Sequence, residues 1–238
     1  MKTIITFVLF FLSFNLFATA QSPDYLVYKG KKHMLHSNPL EEYFKEYPER
    51  KPKITMRSSA LWRGYIATFE VKDKKIVLND IKIRVDFEKW KSVKNKVVDD
   101  YYKNEDEDEI EDKVEVKVTW YQEFINHLTR KDLVIDWFTG ILVLPYGEEI
   151  NYVHMGYGST YENYILLEVE DGVITREKNL KAKEYELFKE VQFSQYKKTA
   201  EYKKTLKELS KHGNSKEFID NFLRSFIIQY TSEFLDEK

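Results

Sequence analysis

No cysteine occurs in this chain, although the chain begins with a sequence typical of export. Lys2 precedes an apolar run from Ile4 to Phe17, and the small residues Ala18-Thr19-Ala20 follow that run. This order of charge, apolar run and small residues is typical of a secretory signal peptide, here residues 1–20. The apolar run is shorter than the ~20 residues that a membrane-spanning helix needs. We therefore expect an exported chain, periplasmic or extracellular, that starts at Gln21.

The lack of cysteine restricts how the mature chain can be stabilised. It can form no disulfide, and it has no cysteine side chain for a lipid anchor. Its stability must therefore come from a packed core. The 218 residues that follow the signal are enough, because a domain of this size buries roughly 70% of the surface of its unfolded chain. We expect one domain over residues 21–238, with no membrane attachment after signal cleavage.

The charge of the mature chain disfavours binding to nucleic acid. Removal of Lys2 leaves 37 basic and 40 acidic residues, a net charge of −3. The run from Asp99 to Asp112 holds nine acidic residues and one lysine, so the rest of the mature chain carries +5. These basic residues are interleaved with acidic ones, whereas a nucleic-acid site needs them clustered on one face. We expect no nucleic-acid partner.

Three polar turns between apolar or β-branched runs predict β-hairpins. The turns are Lys29-Gly30-Lys31, Lys72-Asp73-Lys74-Lys75 and Asp171-Gly172. Glycine and aspartate favour the tight turns that join antiparallel strands. Gly64, which precedes the second turn, is predicted to form a β-bulge. Further strands are predicted within residues 114–124 and 133–149, and a short helix near residues 121–128.

Helical signals occur early in the chain and again in its last third. Asn38 is a predicted cap for a short helix from Pro39 to Tyr47, because Pro39 suits the first helical position. Residues 181–211 have the spacing of one helix, and residues 214–230 that of a second helix with a buried apolar stripe. That stripe consists of Phe218, Ile219, Phe222, Leu223, Phe226, Ile227 and Tyr230.

These elements predict an α+β fold. Residues 21–180 are expected to be mostly β, in a mainly antiparallel sheet built from hairpins. Residues 181–238 are expected to form an antiparallel helix pair that packs on one face of that sheet, because strands precede helices along the chain.

The stretch YVHMGYGSTYENY, residues 152–164, resembles a nucleotide-binding loop only superficially. Its glycines match neither G-x-G-x-x-G nor G-x-x-x-x-G-K-[ST], and a predicted strand follows where a phosphate loop needs a helix N-terminus. We therefore interpret it as a sharp turn between strands. Its tyrosines, Tyr152, Tyr157, Tyr161 and Tyr164, are expected to fan out beside the turn, since a glycine-rich turn is a poor place to bury all four.

His154 supports an alternative interpretation as a hydrolase. In that hypothesis His154 is a base oriented by Asp136 or Glu162, and Ser159 is the nucleophile. The G-x-S-x-G pattern of many serine hydrolases is absent, since Ser159 lies in Gly-Ser-Thr. No complete catalytic signature is present, so the chain is predicted to be non-enzymatic.

No metal or other cofactor is predicted. His33 and His36 form H-x-x-H, but residues three apart on an extended segment point to opposite faces, and no third ligand stands at a recognisable spacing. The acidic run from Asp99 to Asp112 lacks the glycine-turned spacing of a calcium loop. We interpret this run as a flexible, solvated loop.

Four stretches, HSNPLEEYF, SSALWRGYIATFEV, DWFTGILVLPYGE and YVHMGYGSTYENYILLEV, resemble an uncharacterised family of bacterial exported proteins with a W-R-G-Y-[IV]-A-T-[FW]-E core. The resemblance covers Tyr25 to Thr175 and excludes the terminal helices. It implies a location in the bacterial envelope or outside the cell, and it implies no activity.

Aromatic residues are abundant, with 17 tyrosines, 16 phenylalanines and four tryptophans. Exposed aromatic side chains can stack on sugars or anchor a protein partner, although most aromatics in strands pack in a core. The sequence therefore predicts a binding domain for a protein or glycan. The predicted contact residues are Trp62, Arg63, Trp137, Tyr152, His154, Tyr157, Tyr161 and Tyr164.

Overall fold

The computed structural model describes residues 20–48, 58–84, 89–92, 98–100 and 133–235. The predicted signal peptide lies outside these residues except for Ala20. The strand and helix predicted within residues 114–128 also lie outside them, as does the acidic run apart from Asp99 and Asp100. The described residues combine helices with a mostly antiparallel sheet, which confirms the predicted fold class.

Nine strands are present in the described ranges. They are β1 (Asp24–Tyr28), β2 (Lys31–Leu35), β3 (Tyr65–Lys72), β4 (Lys75–Arg84), β5 (Lys89–Ser92), β6 (Val98–Asp100), β7 (Gly140–Asn151), β8 (Thr160–Glu170) and β9 (Val173–Lys181). Seven of them follow one another across the sheet in the order β2-β1-β3-β4-β9-β8-β7, and β5 and β6 extend from β4. Neighbouring strands are antiparallel except for the parallel pair β1 and β3.

Tight turns set the register of three antiparallel pairs. Lys29-Gly30, Asp73-Lys74 and Asp171-Gly172 each place two consecutive residues at positive φ. This is the conformation of a type I′ turn, whose twist matches that of the flanking strands. Local turn chemistry therefore determines the pairings β1–β2, β3–β4 and β8–β9.

The sheet curls until its first and last strands meet. The His36 amide, just after β2, donates to the Val143 carbonyl of β7 at 2.9 Å, and the Ser37 hydroxyl donates to the Ile141 carbonyl at 3.3 Å. Farther along β7, Pro145 has no amide hydrogen and so cannot donate a hydrogen bond to a neighbouring strand. The meeting of β2 and β7 brings residues 36–38 beside the start of β7, where the candidate site lies.

The inner face of the curled sheet encloses the main core. Its members include Leu26, Phe69, Leu142, Leu144, Ile165 and Leu167, together with Leu40 and Phe44 of helix α1 (Pro39–Glu46). The first half of β7 is buried on both faces, because Ile141 and Val143 point outward and pack with Tyr164, Leu166 and Phe188. Burial of both faces explains why Ile141 to Leu144 form a continuous apolar run rather than an alternating one.

The C-terminal part contains three α-helices where the sequence predicts two. They are α2 (Ala182–Tyr196), α3 (Ala200–Ser210) and α4 (Lys216–Ser225), and a 3-10 helix (Ile227–Tyr230) follows. The predicted helix over residues 181–211 is interrupted because Thr199 caps α3, accepting a hydrogen bond from the Tyr202 amide at 3.2 Å. None of the helices in the described ranges is long and apolar enough to cross a membrane.

The buried stripe of α4 differs from the predicted one. Ile219, Leu223 and Ile227 are buried, whereas Phe218 is 58% exposed and Phe222 is 37% exposed. The prediction that these phenylalanines are core residues is therefore wrong. Both sets recur every four residues, so helical spacing alone cannot decide which of two adjacent faces is buried. The aliphatic face packs with Phe193, Tyr196 and Tyr202 of α2 and α3.

A buried carboxylate anchors the C-terminal segment to the sheet. Glu168 of β8 accepts hydrogen bonds from the Phe234 amide at 2.6 Å, from Arg176 Nε at 2.8 Å and from Thr175 Oγ1 at 3.0 Å. Burial acts to raise the pKa of Glu168, but these hydrogen bonds outweigh it and lower the pKa. The segment around Phe234 is thereby held against the outer face of the sheet, where Phe234 packs on Phe188.

Candidate functional site

Three of the four stretches that carry the family resemblance meet at one place in the fold. HSNPLEEYF supplies His36 and Asn38, SSALWRGYIATFEV supplies Arg63, and YVHMGYGSTYENYILLEV supplies Tyr157. Hydrogen bonds join Arg63 to Tyr157 and Tyr157 to Asn38, and His36 stacks on Tyr157. We call this set, together with Asp24, the polar cluster.

A buried ion pair forms the centre of the polar cluster. Arg63 and Asp24 are both 0% exposed, and Arg63 Nη2 lies 3.3 Å from Asp24 Oδ1. Arg63 Nη2 also donates to the Ser22 carbonyl at 2.8 Å, and the Ala67 amide donates to Asp24 Oδ1 at 2.9 Å. Asp24 Oδ2 and Arg63 Nε have no hydrogen-bond partner among the described residues. The pair is thus joined by one contact rather than by a two-bond fork.

This incomplete pairing is consistent with the ionisation of Asp24. Burial raises its pKa to about 6, although Arg63 and the Ala67 amide act in the opposite direction. Loss of hydration disfavours a buried carboxylate unless its partners replace that hydration fully. At neutral pH the pair is charged, and below pH 6 Asp24 takes up a proton.

A turn of the chain determines which side chain enters the cluster. The Gly64 amide donates to the Leu61 carbonyl at 3.1 Å, and Gly64 has φ of +79°. Gly64 therefore closes a turn ahead of β3, and the bulge predicted there is instead found between Thr68 and Phe69. The turn leaves Trp62 exposed while Arg63 points inward.

Tyr157 connects the ion pair to the surface. Arg63 Nη1 donates to the Tyr157 hydroxyl at 3.1 Å, and that hydroxyl donates to Asn38 Oδ1 at 2.9 Å. Burial raises the pKa of Tyr157 to about 12, while Arg63 acts to lower it. Tyr157 thus remains a neutral hydroxyl that fastens the loop over residues 152–159 to the sheet.

His36 covers the outer side of Tyr157. The two rings stack with centroids 4.6 Å apart and planes 12° apart, and Tyr161 meets His36 edge-on at 5.6 Å. Burial lowers the pKa of His36 to about 4, so the imidazole is neutral at physiological pH. It therefore presents one hydrogen-bond donor and one acceptor.

The polar cluster lies at one end of a large groove. The groove has a volume of about 1120 Å³ and is lined by residues 36–38, by the start of β7, by residues 157–160 and by the facing sides of α2, α3 and the 3-10 helix. Small-molecule sites usually have volumes of about 300 to 1,000 Å³. The groove is slightly larger than this range.

The structure separates the eight predicted contact residues. Trp62, Tyr152 and His154 are exposed, and Tyr157 and Tyr161 are half-buried beside His36. Arg63 and Tyr164 are buried, so they lie beneath the surface of the site. Trp137 is half-buried, since its Nε1 donates to the Pro39 carbonyl and its ring packs on Tyr43. The four tyrosines of the loop do not fan out together, because Tyr152 is exposed whereas Tyr157 and Tyr161 pack beside His36 and Tyr164 is buried.

The fold does not assemble the hydrolase site that His154 was predicted to form. His154 Nδ1 lies 2.8 Å from the Tyr152 hydroxyl, and Ser159 Oγ accepts instead from the Val153 amide at 3.0 Å. Asp136 precedes β7 and His154 follows it, so a strand of 12 residues, roughly 35 Å long, lies between them. Glu162 accepts from the Glu148 amide. No hydrogen bond among the described residues joins His154 to any of these side chains.

In the described ranges, no group of three or more histidine, aspartate or glutamate side chains is placed to hold a metal ion. His33 lies beside Tyr146, whereas His36 lies on Tyr157. The two histidines of H-x-x-H therefore have separate surroundings.

Sequence reasoning missed Asp24, Asn38 and the binding environment of His36. Asp24 has no local signal, since it is a single carboxylate at the start of a strand. His36 and Asn38 stand in HSNPLEEYF, so the resemblance could have indicated them.

Comparison of the chain with protein-family models, curated proteins and solved structures gives no match. The function must therefore be argued from the site itself.

Proposed function

We propose that this chain is an exported, non-enzymatic binding domain that holds a protein or glycan in the groove beside the polar cluster. The observation that supports this proposal is the groove itself. Tyr157, Gly158, Ser159 and Thr160 form part of one wall, and the C-terminal helices form the other. Part of the predicted binding loop thus lines the groove, while Tyr152 and His154 are exposed outside it.

The polar cluster has a positioning role in this proposal. Arg63 is tied to β1 by Asp24 and to the loop by Tyr157, so the loop wall is held by charged and polar hydrogen bonds rather than by apolar packing. Hydrogen bonds that involve a charged group are stronger and more directional than neutral ones. A wall that is already ordered reduces the conformational entropy that the protein loses when a ligand binds.

Binding without catalysis is favoured because His154 pairs with Tyr152, and neither a carboxylate nor Ser159 orients it. Export is part of the proposal and depends on the N-terminal pattern of residues 1–20. A bacterial source and membership of the resembled family are proposed on the four sequence stretches. We further propose that the C-terminal helices pack on the sheet as a unit to form the second wall.

The proposal is tested by blocking the groove. Gln229 is exposed and lines it, whereas Asn221 is exposed on α4 and does not. Gln229→Trp should abolish binding found by a glycan array and a displayed peptide library, because the indole would fill the groove. Asn221→Trp is the matched control and should leave binding intact. Binding that survives Gln229→Trp would place the ligand elsewhere and refute the proposal.

A further inference from the structure

We propose that the ligand of this groove is an uncharged oligosaccharide. This inference depends on the proposed binding function and specifies its ligand class. It follows from three properties of the lining: aromatic rings, hydrogen-bonding groups that the fold does not use, and basic side chains that each lie beside an acidic one.

Aromatic rings supply the apolar contacts. Phe226 and Tyr230 line the groove from the helical wall, and Tyr185 lines it while stacking on Tyr164 at 4.0 Å. A sugar ring has faces made of C–H groups, which pack on aromatic rings, and an edge made of hydroxyls. Half-buried aromatic rings in a polar groove can contact both the C–H faces and the hydroxyl edge of a sugar, which a continuous apolar pocket could not do.

Neutral donors and acceptors stand beside these rings. The His36 imidazole, the Gln229 amide and the Tyr185 hydroxyl line the groove, and none of them has a hydrogen-bond partner among the described residues. His36 is neutral at physiological pH because burial lowers its pKa to about 4. Together the three groups offer both donors and acceptors, which suits hydroxyls that act in both roles.

Each basic side chain that lines the groove lies beside an acidic one. Lys189 pairs with Glu186 at 2.8 Å, and Arg224 pairs with Glu190 at 3.6 Å. Lys204 lies between Glu201 and Glu208 on α3, at spacings that bring side chains together on a helix. Glu42 also lines the groove, so no positive patch is available for an anionic ligand.

A peptide is less suited to this groove than a sugar. Extended peptides commonly bind by adding a strand to a free sheet edge. The edge of β7 that faces the groove is already used, because the Val143 carbonyl accepts from the His36 amide and the Ile141 carbonyl accepts from Ser37. The opposite wall is formed by α2, α3 and the 3-10 helix, so it offers no strand edge to pair with.

The test compares neutral hexasaccharides with peptides. Cellohexaose, chitohexaose, maltohexaose and mannohexaose are titrated by calorimetry, beside a displayed peptide library. We expect saturable binding of at least one sugar, lost in Gln229→Trp and weakened about tenfold in Tyr185→Phe, the loss expected for one hydrogen bond. Tyr146→Phe, which removes a hydroxyl from an exposed tyrosine of β7 outside the groove, should bind like the unmodified protein.

The outcomes separate the two proposals. Peptide binding that Gln229→Trp removes, without any sugar binding, would overturn the oligosaccharide inference and leave the groove as a binding site. Sugar binding that is insensitive to Gln229→Trp would overturn both. The absence of any sugar or peptide binding would also overturn both. A Tyr185→Phe variant with an unchanged melting temperature and unchanged affinity would show that this hydroxyl does not contact the sugar.

Discussion

The packing of α4 provides a quantitative test of the structure. Leu223 is fully buried among Ile219, Ile227 and the rings of α2 and α3, whereas Phe218 on the same helix is more than half exposed. Leu223→Ala removes buried carbon atoms and leaves a cavity, which should lower the free energy of unfolding by about 3 kcal/mol. Phe218→Ala removes the larger side chain but should cost less than about 1 kcal/mol, because little of its surface leaves water on folding.

Urea denaturation followed by circular dichroism measures both variants. A domain of this size has a total stability of about 5 to 15 kcal/mol, so the Leu223→Ala loss is readily detected. It corresponds to a fall in melting temperature of roughly 6 to 12 °C. The order of the two losses is decisive, because hydrophobicity alone would rank the phenylalanine first. A larger loss for Phe218→Ala would refute the assigned orientation of α4.

Three further predictions concern titratable groups. Arg63→Met leaves the Asp24 carboxylate buried without its partner, so it should destabilise the fold by about 3 to 5 kcal/mol at pH 8, measured by urea denaturation. The loss should be smaller at pH 5, because the raised pKa of Asp24 makes its carboxyl neutral in acid. An equal loss at both pH values would contradict this. Glu168→Gln should lower the melting temperature more at pH 7 than at pH 3, because a lowered pKa gives stability that is present above the unfolded value near 4.5 and lost as pH falls through the folded value; an equal loss at both pH values would point to packing instead. The NMR signals of the His36 ring should not titrate between pH 8 and pH 5.5, because its pKa is lowered to about 4; a midpoint near 6.5 would show that the ring is exposed.

Local features of the fold could be predicted from the sequence. The turns at Lys29-Gly30 and Asp171-Gly172 were predictable because glycine, and to a lesser degree aspartate, accepts positive φ, and this property is local. Pro39 begins a short helix as predicted, because its fixed φ suits the first helical position. Asn38 does not cap that helix with its side chain, since Asn38 Oδ1 accepts from Tyr157 instead. Periodicity detected α4 but not its orientation, because Phe218 and Ile219 belong to adjacent faces with the same spacing.

Arg63 and Tyr157 were predicted individually, but their assembly with Asp24, His36 and Asn38 could not be predicted, since these residues are distant in the chain. Asp24 and Arg63 are separated by 39 residues, and Arg63 and Tyr157 by 94. Their contact depends on the parallel pairing of β1 with β3 and on the folding back of the loop. Arg63 and Trp62 are adjacent in sequence and opposite in exposure, a difference that the turn at Gly64 sets. The sequence predicts His154, a single histidine in a loop, as a contact residue, whereas His36 is the histidine that lies in the polar cluster.

The central claim, that a ligand occupies the groove, is tested most directly by NMR of labelled methionine methyl groups. Met155 lines the groove and is half exposed, whereas Met34 lies on β2 and does not line it. During titration with a bound hexasaccharide, the Met155 signal, assigned with Met155→Leu, should shift until saturation while the Met34 signal stays constant. Saturable binding that leaves the Met155 signal unchanged would contradict the claim.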